Sequence, residues 1–213
     1  MSLISTENAL VPDAEGWCRE VACEPSPNFD ERPQHVVTSL LVVHNISLPA
    51  GRYGTSHVVD LFCNRLDYQA DPSFEELRGI QVSAHFLIRR DGRLIQFVST
   101  NARAWHAGIS SFDGKQRCND FSIGIELEGC DDDAFADAQY DTLSRLTAAL
   151  QRRYPLTDVA GHQHIAPGRK TDPGPFFDWP RYHALLGQCQ AQNQLSDQPQ
   201  ALTPGSLRFA ALR

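Results

Sequence analysis

Several common signatures are missing from this 213-residue chain. No run approaches the roughly 20 apolar residues that cross a bilayer, so no membrane partner is expected. No two cysteines form a C-x-x-C pair, which excludes zinc-finger spacing. No H-E-x-x-H occurs, which argues against a metalloprotease. Positive charge is in the minority, 19 Lys and Arg against 26 Asp and Glu, for a formal net charge of −7. A nucleic-acid partner calls for a basic face, so none is expected. The opening "MSLISTENALVPDAEGW" has neither a basic start nor a continuous apolar stretch and does not read as a signal peptide. A cytoplasmic location is therefore expected, with Cys18, Cys23, Cys63, Cys118, Cys130 and Cys189 as reduced thiols.

What is present suits one soluble domain with a sizeable core, since 41% of the residues are hydrophobic and the charges are interspersed. Residues 1–37 read as an irregular lead-in, 38–189 as the domain, and 190–213 as a polar, Gln-rich tail. "SLLVVHNIS" (39–47) is a continuous apolar run, as in a strand covered on both faces. "HVVDLFCNRL" (57–66) has helical spacing. "VSAHFLIRRDGRLIQFV" (82–98) is two β-rich runs around Asp91-Gly92, a hairpin. "FSIGIELEG" (121–129) alternates apolar residues with Gly124, Glu126 and Glu128, which predicts a half-buried strand with both glutamates on one face. Residues 137–155 form a helix bounded by Pro155, and a shorter helix follows Asp178. Strands and helices mixed in one domain give an α/β or α+β class.

The chemistry concentrates in "GHQHIAPGRKTDPGP" (161–175), where His162, His164 and Asp172 lie within eleven residues. Histidine nitrogen and carboxylate oxygen both bind zinc, and a catalytic site uses three protein ligands with one position open. His44, at the end of the first strong strand, and His162 supply two. Spacing alone does not choose between His164 and Asp172 for the third.

"VVHNISLP", "VSAHFLIRRDG", "RAWHAG", "RCNDFSIGIELEG" and "GHQHIAPGRKTDPGP" occur in this order. Over roughly residues 38–187 the chain resembles the zinc-dependent N-acetylmuramoyl-L-alanine amidases of the amidase-2 type. Within them it is most similar to the cytoplasmic group that cleaves anhydro-muropeptides in peptidoglycan recycling. The resemblance implies a single α/β domain with a mixed central sheet flanked by helices and a zinc site at one edge of the sheet. It implies His44, His162 and Asp172 as the zinc ligands, which leaves His164 beside the site or exposed. His85 is expected to be a buried structural histidine, and His35, His57 and His183 have no site role.

Amide hydrolysis requires an activated water, a stabilised oxyanion and a proton for the leaving nitrogen. Glu126 is the expected base, from its strand direction and from the resemblance, whereas Glu128 is expected to be a solvated carboxylate. Lys170, two residues before Asp172, is expected to stabilise the oxyanion. Asn45, Trp105, His106 and Arg117 are candidate substrate contacts: an amide beside a ligand, a flat face with a polar edge, and a guanidinium suited to a peptide carboxylate. The substrate so implied is an anhydro-N-acetylmuramoyl peptide. The rivals are a wall hydrolase acting on intact peptidoglycan and a non-catalytic peptidoglycan-binding module.

Overall fold

In the computed structural model, residues 8–195 and 206–212 are described. The first residues of the N-terminal reading (1–7) and, within the expected tail, residues 196–205 and 213 lie outside them. Eleven strands and four α-helices occur among the described residues. In chain order they are β1 (Ala22–Cys23), β2 (Phe29–Asp30), β3 (Leu40–Ile46), α1 (His57–Phe62), β4 (Phe86–Ile88), β5 (Leu94–Gln96), β6 (Arg103–Ala104), β7 (Ser111–Phe112), β8 (Lys115–Gln116), β9 (Ser122–Glu128), α2 (Asp137–Arg153), β10 (Asp158–Gly161), α3 (His162–Ile165), α4 (Trp179–Leu195) and β11 (Arg208–Phe209).

Seven strands form one sheet in the order β1-β5-β4-β9-β3-β10-β11. Every neighbouring pair is parallel except the hairpin β4–β5, so the sheet is mixed. Gly92 takes φ +82° at the hairpin turn, a left-handed conformation that a side chain would resist. Leu41 and Val43 of β3 and Ile123, Ile125 and Leu127 of β9 pack on one face against Leu143, Leu146 and Leu150 of α2 and Tyr182 and Leu186 of α4. Leu40 and Val42 face the other way, with Ala107, Phe121 and Ile165. The α2 helix begins where the Gln139 side chain accepts the Ala136 N–H (3.0 Å), and it ends at Tyr154, whose extended backbone is what a following proline favours. Among the described residues no helix is long and apolar enough to cross a membrane. All six cysteines are free thiols.

Three expectations are corrected. The β9 strand is buried along its whole length rather than half-buried. It lies between two parallel partners, and parallel strands are covered on both faces. Glu128 is accordingly not a solvated carboxylate: it is 2% exposed. It accepts from Arg89 Nη1 (2.9 Å) and from the backbone N–H groups of Gly54 (2.7 Å) and Arg90 (3.1 Å). This clamp ties the segment before α1 to the end of β9. The last correction concerns the C-terminal part. The α4 helix runs on to Leu195, with Gln190 bonded to Gln151 (2.7 Å), because glutamine is a good helix former despite its polarity. Beyond it, β11 pairs with β10 and buries Phe209 against Tyr182 and His183.

Removing one partner of a buried ion pair strands the other charge, at a cost of about 3–5 kcal/mol. Glu128→Ala should lose about that much in urea unfolding. A loss under about 1 kcal/mol would mean that Arg89 reaches water and that the clamp contributes little.

Candidate active site

The site lies at the carboxyl ends of the central strands, on the face turned away from α2 and α4. That rim, not a lateral strand, is the edge in question. His44 is on β3, directly opposite Glu126 of β9 in the parallel register. His162 follows β10 at once, as the first residue of α3. The chain then loops back so that the Gln163 N–H donates to the Asp172 carbonyl (2.9 Å). Asn45 holds this loop from below. Its amide donates to Asp131 Oδ1 (2.8 Å) and to the Pro173 carbonyl (3.1 Å).

Three ligand atoms meet. His44 Nδ1 is 3.0 Å from Asp172 Oδ2, His162 Nδ1 is 3.1 Å from the same oxygen, and the two nitrogens are 3.1 Å apart. A tetrahedral ion with bonds of about 2.0–2.1 Å spaces its ligands roughly 3.3 Å apart. The triangle is nearly one face of such a tetrahedron. His164 is not part of it: its Nδ1 accepts the Gly161 N–H (2.8 Å) and its ring packs on Trp179.

The ionisation states suit a cation, which needs neutral imidazoles and charged carboxylates. Burial lowers the His44 pKa to about 4, against the opposing hydrogen bond to Asp172. Burial alone would raise Asp172, but the facing His162 and His44 rings outweigh it and hold the carboxyl well below its usual range. Glu126 moves the other way. Burial, and then the Asp172 charge, raise it well above an ordinary glutamate, while the Lys170 cation opposes them. Glu126 Oε2 is buried with no hydrogen-bond partner, an orphaned acceptor beside the triangle of the kind that a polar ligand would satisfy.

Each ligand histidine is held from behind at Nε2. That of His162 is 3.2 Å from the Ala107 carbonyl, and that of His44 is 3.0 Å from His106 Nδ1. Such outer partners fix ring orientation in metal sites. A cavity of about 320 Å³ opens over the triangle, with Trp105, Leu61, Phe62 and Ile80 among its walls and Lys170 at its rim. A larger hollow of about 440 Å³ at the β1–β5 edge brings together no buried titratable group, so chemistry rather than volume marks the site.

Of the expected substrate contacts, Trp105 lines this cavity. Asn45 also borders it, but both its amide hydrogens are engaged in holding the Asp172 loop. His106 is 8% exposed, with its polar edge turned inward. Arg117 does not line the cavity; it pairs with Asp120 (3.1 Å). The structure adds Asp131, Asn119 and Ser122, none of which the sequence singled out. Asn119 Oδ1 accepts the N–H groups of His106 (3.2 Å) and Ala107 (2.8 Å). The "RCND" motif drew notice for its arginine, whereas its asparagine does the holding.

Comparison with known proteins relates the chain to amidases. The family profile Amidase_2, N-acetylmuramoyl-L-alanine amidase, matches residues 33–175. The chain is 52% identical over 179 residues to the 1,6-anhydro-N-acetylmuramyl-L-alanine amidase AmpD of Salmonella typhimurium, covering 83% of this chain and 95% of that protein. A crystal structure of a selenomethionine derivative of AmpD is similar with TM-score 0.79 and 53% identity, over 83% of this chain and 99% of the other. The amidase AmiD of Escherichia coli, in complex with the substrate anhydro-N-acetylmuramic acid-L-Ala-D-γ-Glu-L-Lys, is similar with TM-score 0.52 and 29% identity, over 74% of this chain and 65% of the other.

The buried imidazoles make folding sensitive to acid. The pKa of His44 falls to about 4 and that of His85 to about 3, from an ordinary 6.5; His106 is lowered in the same sense. In His85 the cause is burial, then the Arg32 charge. Below pH 6.5 the unfolded chain binds protons that the folded chain refuses. Stability is therefore full above that pH and is lost as pH falls toward 4. Each imidazole contributes on the order of 1.4 kcal/mol per pH unit. Glu126 has the opposite sign, its contribution being lost as pH rises through its raised pKa. Urea unfolding of chelator-treated protein near pH 7, 6 and 5 should show a steep decline, and a flat or rising profile would contradict the neutral, buried imidazoles.

Proposed function

Since the chain belongs to the N-acetylmuramoyl-L-alanine amidase family, we propose that it is a zinc hydrolase of peptidoglycan recycling. It cleaves the amide between the N-acetylmuramoyl lactyl group and L-alanine in 1,6-anhydro-muropeptides. The observation that carries this reading is the His44–His162–Asp172 triangle with the orphaned Glu126 oxygen beside it. The relatives' names supply the substrate class. A reducing compartment, the cytoplasm, suits six free thiols.

His44, His162 and Asp172 hold the zinc. Bound there, it would supply Lewis acidity toward the scissile carbonyl and would lower the pKa of a water, so that the water gives up a proton readily and becomes a nucleophile. Glu126 takes the proton of that water on its free Oε2 and returns it to the leaving alanine nitrogen. Its burial serves both halves, since desolvation makes a carboxylate a stronger base. Lys170 faces the developing oxyanion with a charge already felt by His44 and Glu126. Trp105 and the apolar wall of the cavity pack on the sugar. Asn45 keeps the Asp172 loop in place.

Alanine at His44 or His162 should empty the zinc site and abolish turnover; full zinc occupancy in either variant would reject the ligand set. Glu126→Gln should retain zinc and lose roughly 10²–10⁴-fold in kcat, and Lys170→Ala should retain zinc and lose roughly 10²–10³-fold. A near-normal kcat removes the residue from the mechanism.

Substrate choice separates this reading from a wall hydrolase. At matched muramoyl-peptide concentration, anhydro-muramoyl-tripeptide should be cleaved far faster than intact sacculi, releasing peptides that begin with L-alanine. Equal rates, or a preference for sacculi, would favour the wall hydrolase.

A further inference from the structure

We propose that His106 is a positioning residue that fixes the tautomer and orientation of His44, through a hydrogen-bond relay anchored on the main chain. The inference deepens the zinc-site reading and rests on it.

The relay has three links. His44 Nε2 is 3.0 Å from His106 Nδ1, His106 Nε2 is 3.2 Å from Ser122 Oγ, and Ser122 Oγ is 2.6 Å from the Cys118 carbonyl. Its direction follows from the far end. A carbonyl can only accept, so the single hydroxyl hydrogen of Ser122 goes to Cys118. Toward His106 that oxygen must then accept, which puts the proton of His106 on Nε2. A neutral imidazole has one N–H, so His106 Nδ1 is left as an acceptor. His44 must therefore donate from Nε2, and its Nδ1 lone pair is bare and directed at Asp172 and His162. His106 is buried and its ring nitrogens meet only His44 and Ser122, with no carboxylate to hold a second proton, so the ring is neutral.

The His106 ring is itself fixed from three sides. Asn119 Oδ1 accepts the backbone N–H of His106, at the root of the side chain. The ring stands edge-on to His44, with centroids 5.1 Å apart and planes at 81°. It also lies on Gly124, where a Cβ would come within 2.6 Å of Nδ1 and 2.7 Å of Cδ2. Gly124 thus leaves room for the ring. "RAWHAG", "RCND" and "FSIG" are three parts of one support. Because both ring nitrogens are committed within the relay, the support role displaces direct substrate binding.

The test is the zinc affinity of the full chain, measured without substrate by competition with a chromophoric chelator, alongside the melting temperature of each metal-free protein. Removing a group that orients a ligand typically costs 10–100-fold in metal affinity. His106→Leu, of similar bulk but with no acceptor, should show a loss of that order. His106→Asn places its Oδ1 at the same branch position as Nδ1 and should recover most of the affinity. A merely structural role would lower both melting temperatures and give no such split. Wild-type affinity in the leucine variant, or an asparagine variant no better than leucine, overturns the proposal. Should the leucine variant not fold, Ser122→Ala cuts the relay at its far end. Weaker zinc at an unchanged melting temperature then supports the proposal, and unchanged affinity overturns it. If the wild-type chain takes up no zinc, the parent reading fails too. If wild type binds zinc, His44→Ala does not, and His106→Leu binds like wild type, only the relay is rejected.

Discussion

The parallel pairing of β3 with β9 is the constraint on which the site depends. It sets His44 beside Glu126, one residue each, on the face turned away from α2 and α4. Side chains alternate along a strand, so a slip of one residue would send either group into the Leu143–Leu146 core instead. Pairing of β3 with β10 extends the same logic. Val43 lies opposite Gly161, so His162 emerges one step past the sheet, level with His44. The apolar run of β3 is thus more than core filling, because its burial on the far face locks the register that aligns the polar face.

A polar face inside a parallel sheet has to be sealed, and the irregular chain does the sealing. Arg32, in the lead-in, donates to the carbonyls of Asn119, Asp120 and Ser122 (3.1, 3.1 and 2.8 Å). It thereby fastens the segment that carries Asn119 over the start of β9. His85 accepts the Gly124 N–H through Nδ1 (3.0 Å), which assigns its proton to Nε2, 3.1 Å from the Ala102 carbonyl. Bonds of this density hold the irregular segments against the polar face. Asn45, Asp131 and the Pro173 carbonyl make the corresponding connection for the ligand loop.

The sequence made legible what depends on period and on ligand chemistry. The buried run of β3, the Asp91-Gly92 hairpin and the α2 stripe are local patterns, and the structure holds all three. His44 and His162 could be nominated because few residue types bind metal, whereas Asp172 is separated from His164 only by the resemblance to the amidases. The burial of β9 could not be read, since alternating glycine and glutamate looks the same whether that face meets water or lines a closed site. The length of α4 was hidden by composition, and a two-residue strand such as β11 is too short to alternate. The partners of Asn45 and Arg117 could not be read for a different reason. An amide or a guanidinium bonds whatever the fold presents, and here the fold presents Asp131, the Pro173 carbonyl and Asp120. Ser122 and Asn119 gave no signal, as neither stands at a spacing that carries meaning by itself.

Two carboxylates share the cavity, and their contrast shows what divides labour there. Both are largely buried, so desolvation pushes both toward the protonated form. Asp172 Oδ2 faces the Nδ1 atoms of two imidazoles and stays charged, while Glu126 Oε2 meets no polar partner and is raised. Polar neighbours, not burial, separate the proposed ligand from the proposed base. What those neighbours present depends on tautomers, because an imidazole directs a lone pair or a proton at Asp172 according to what its other nitrogen meets. The groups behind the histidines, the Ala107 carbonyl and the His106 relay, therefore bear on the carboxylates in front of them, although neither touches one.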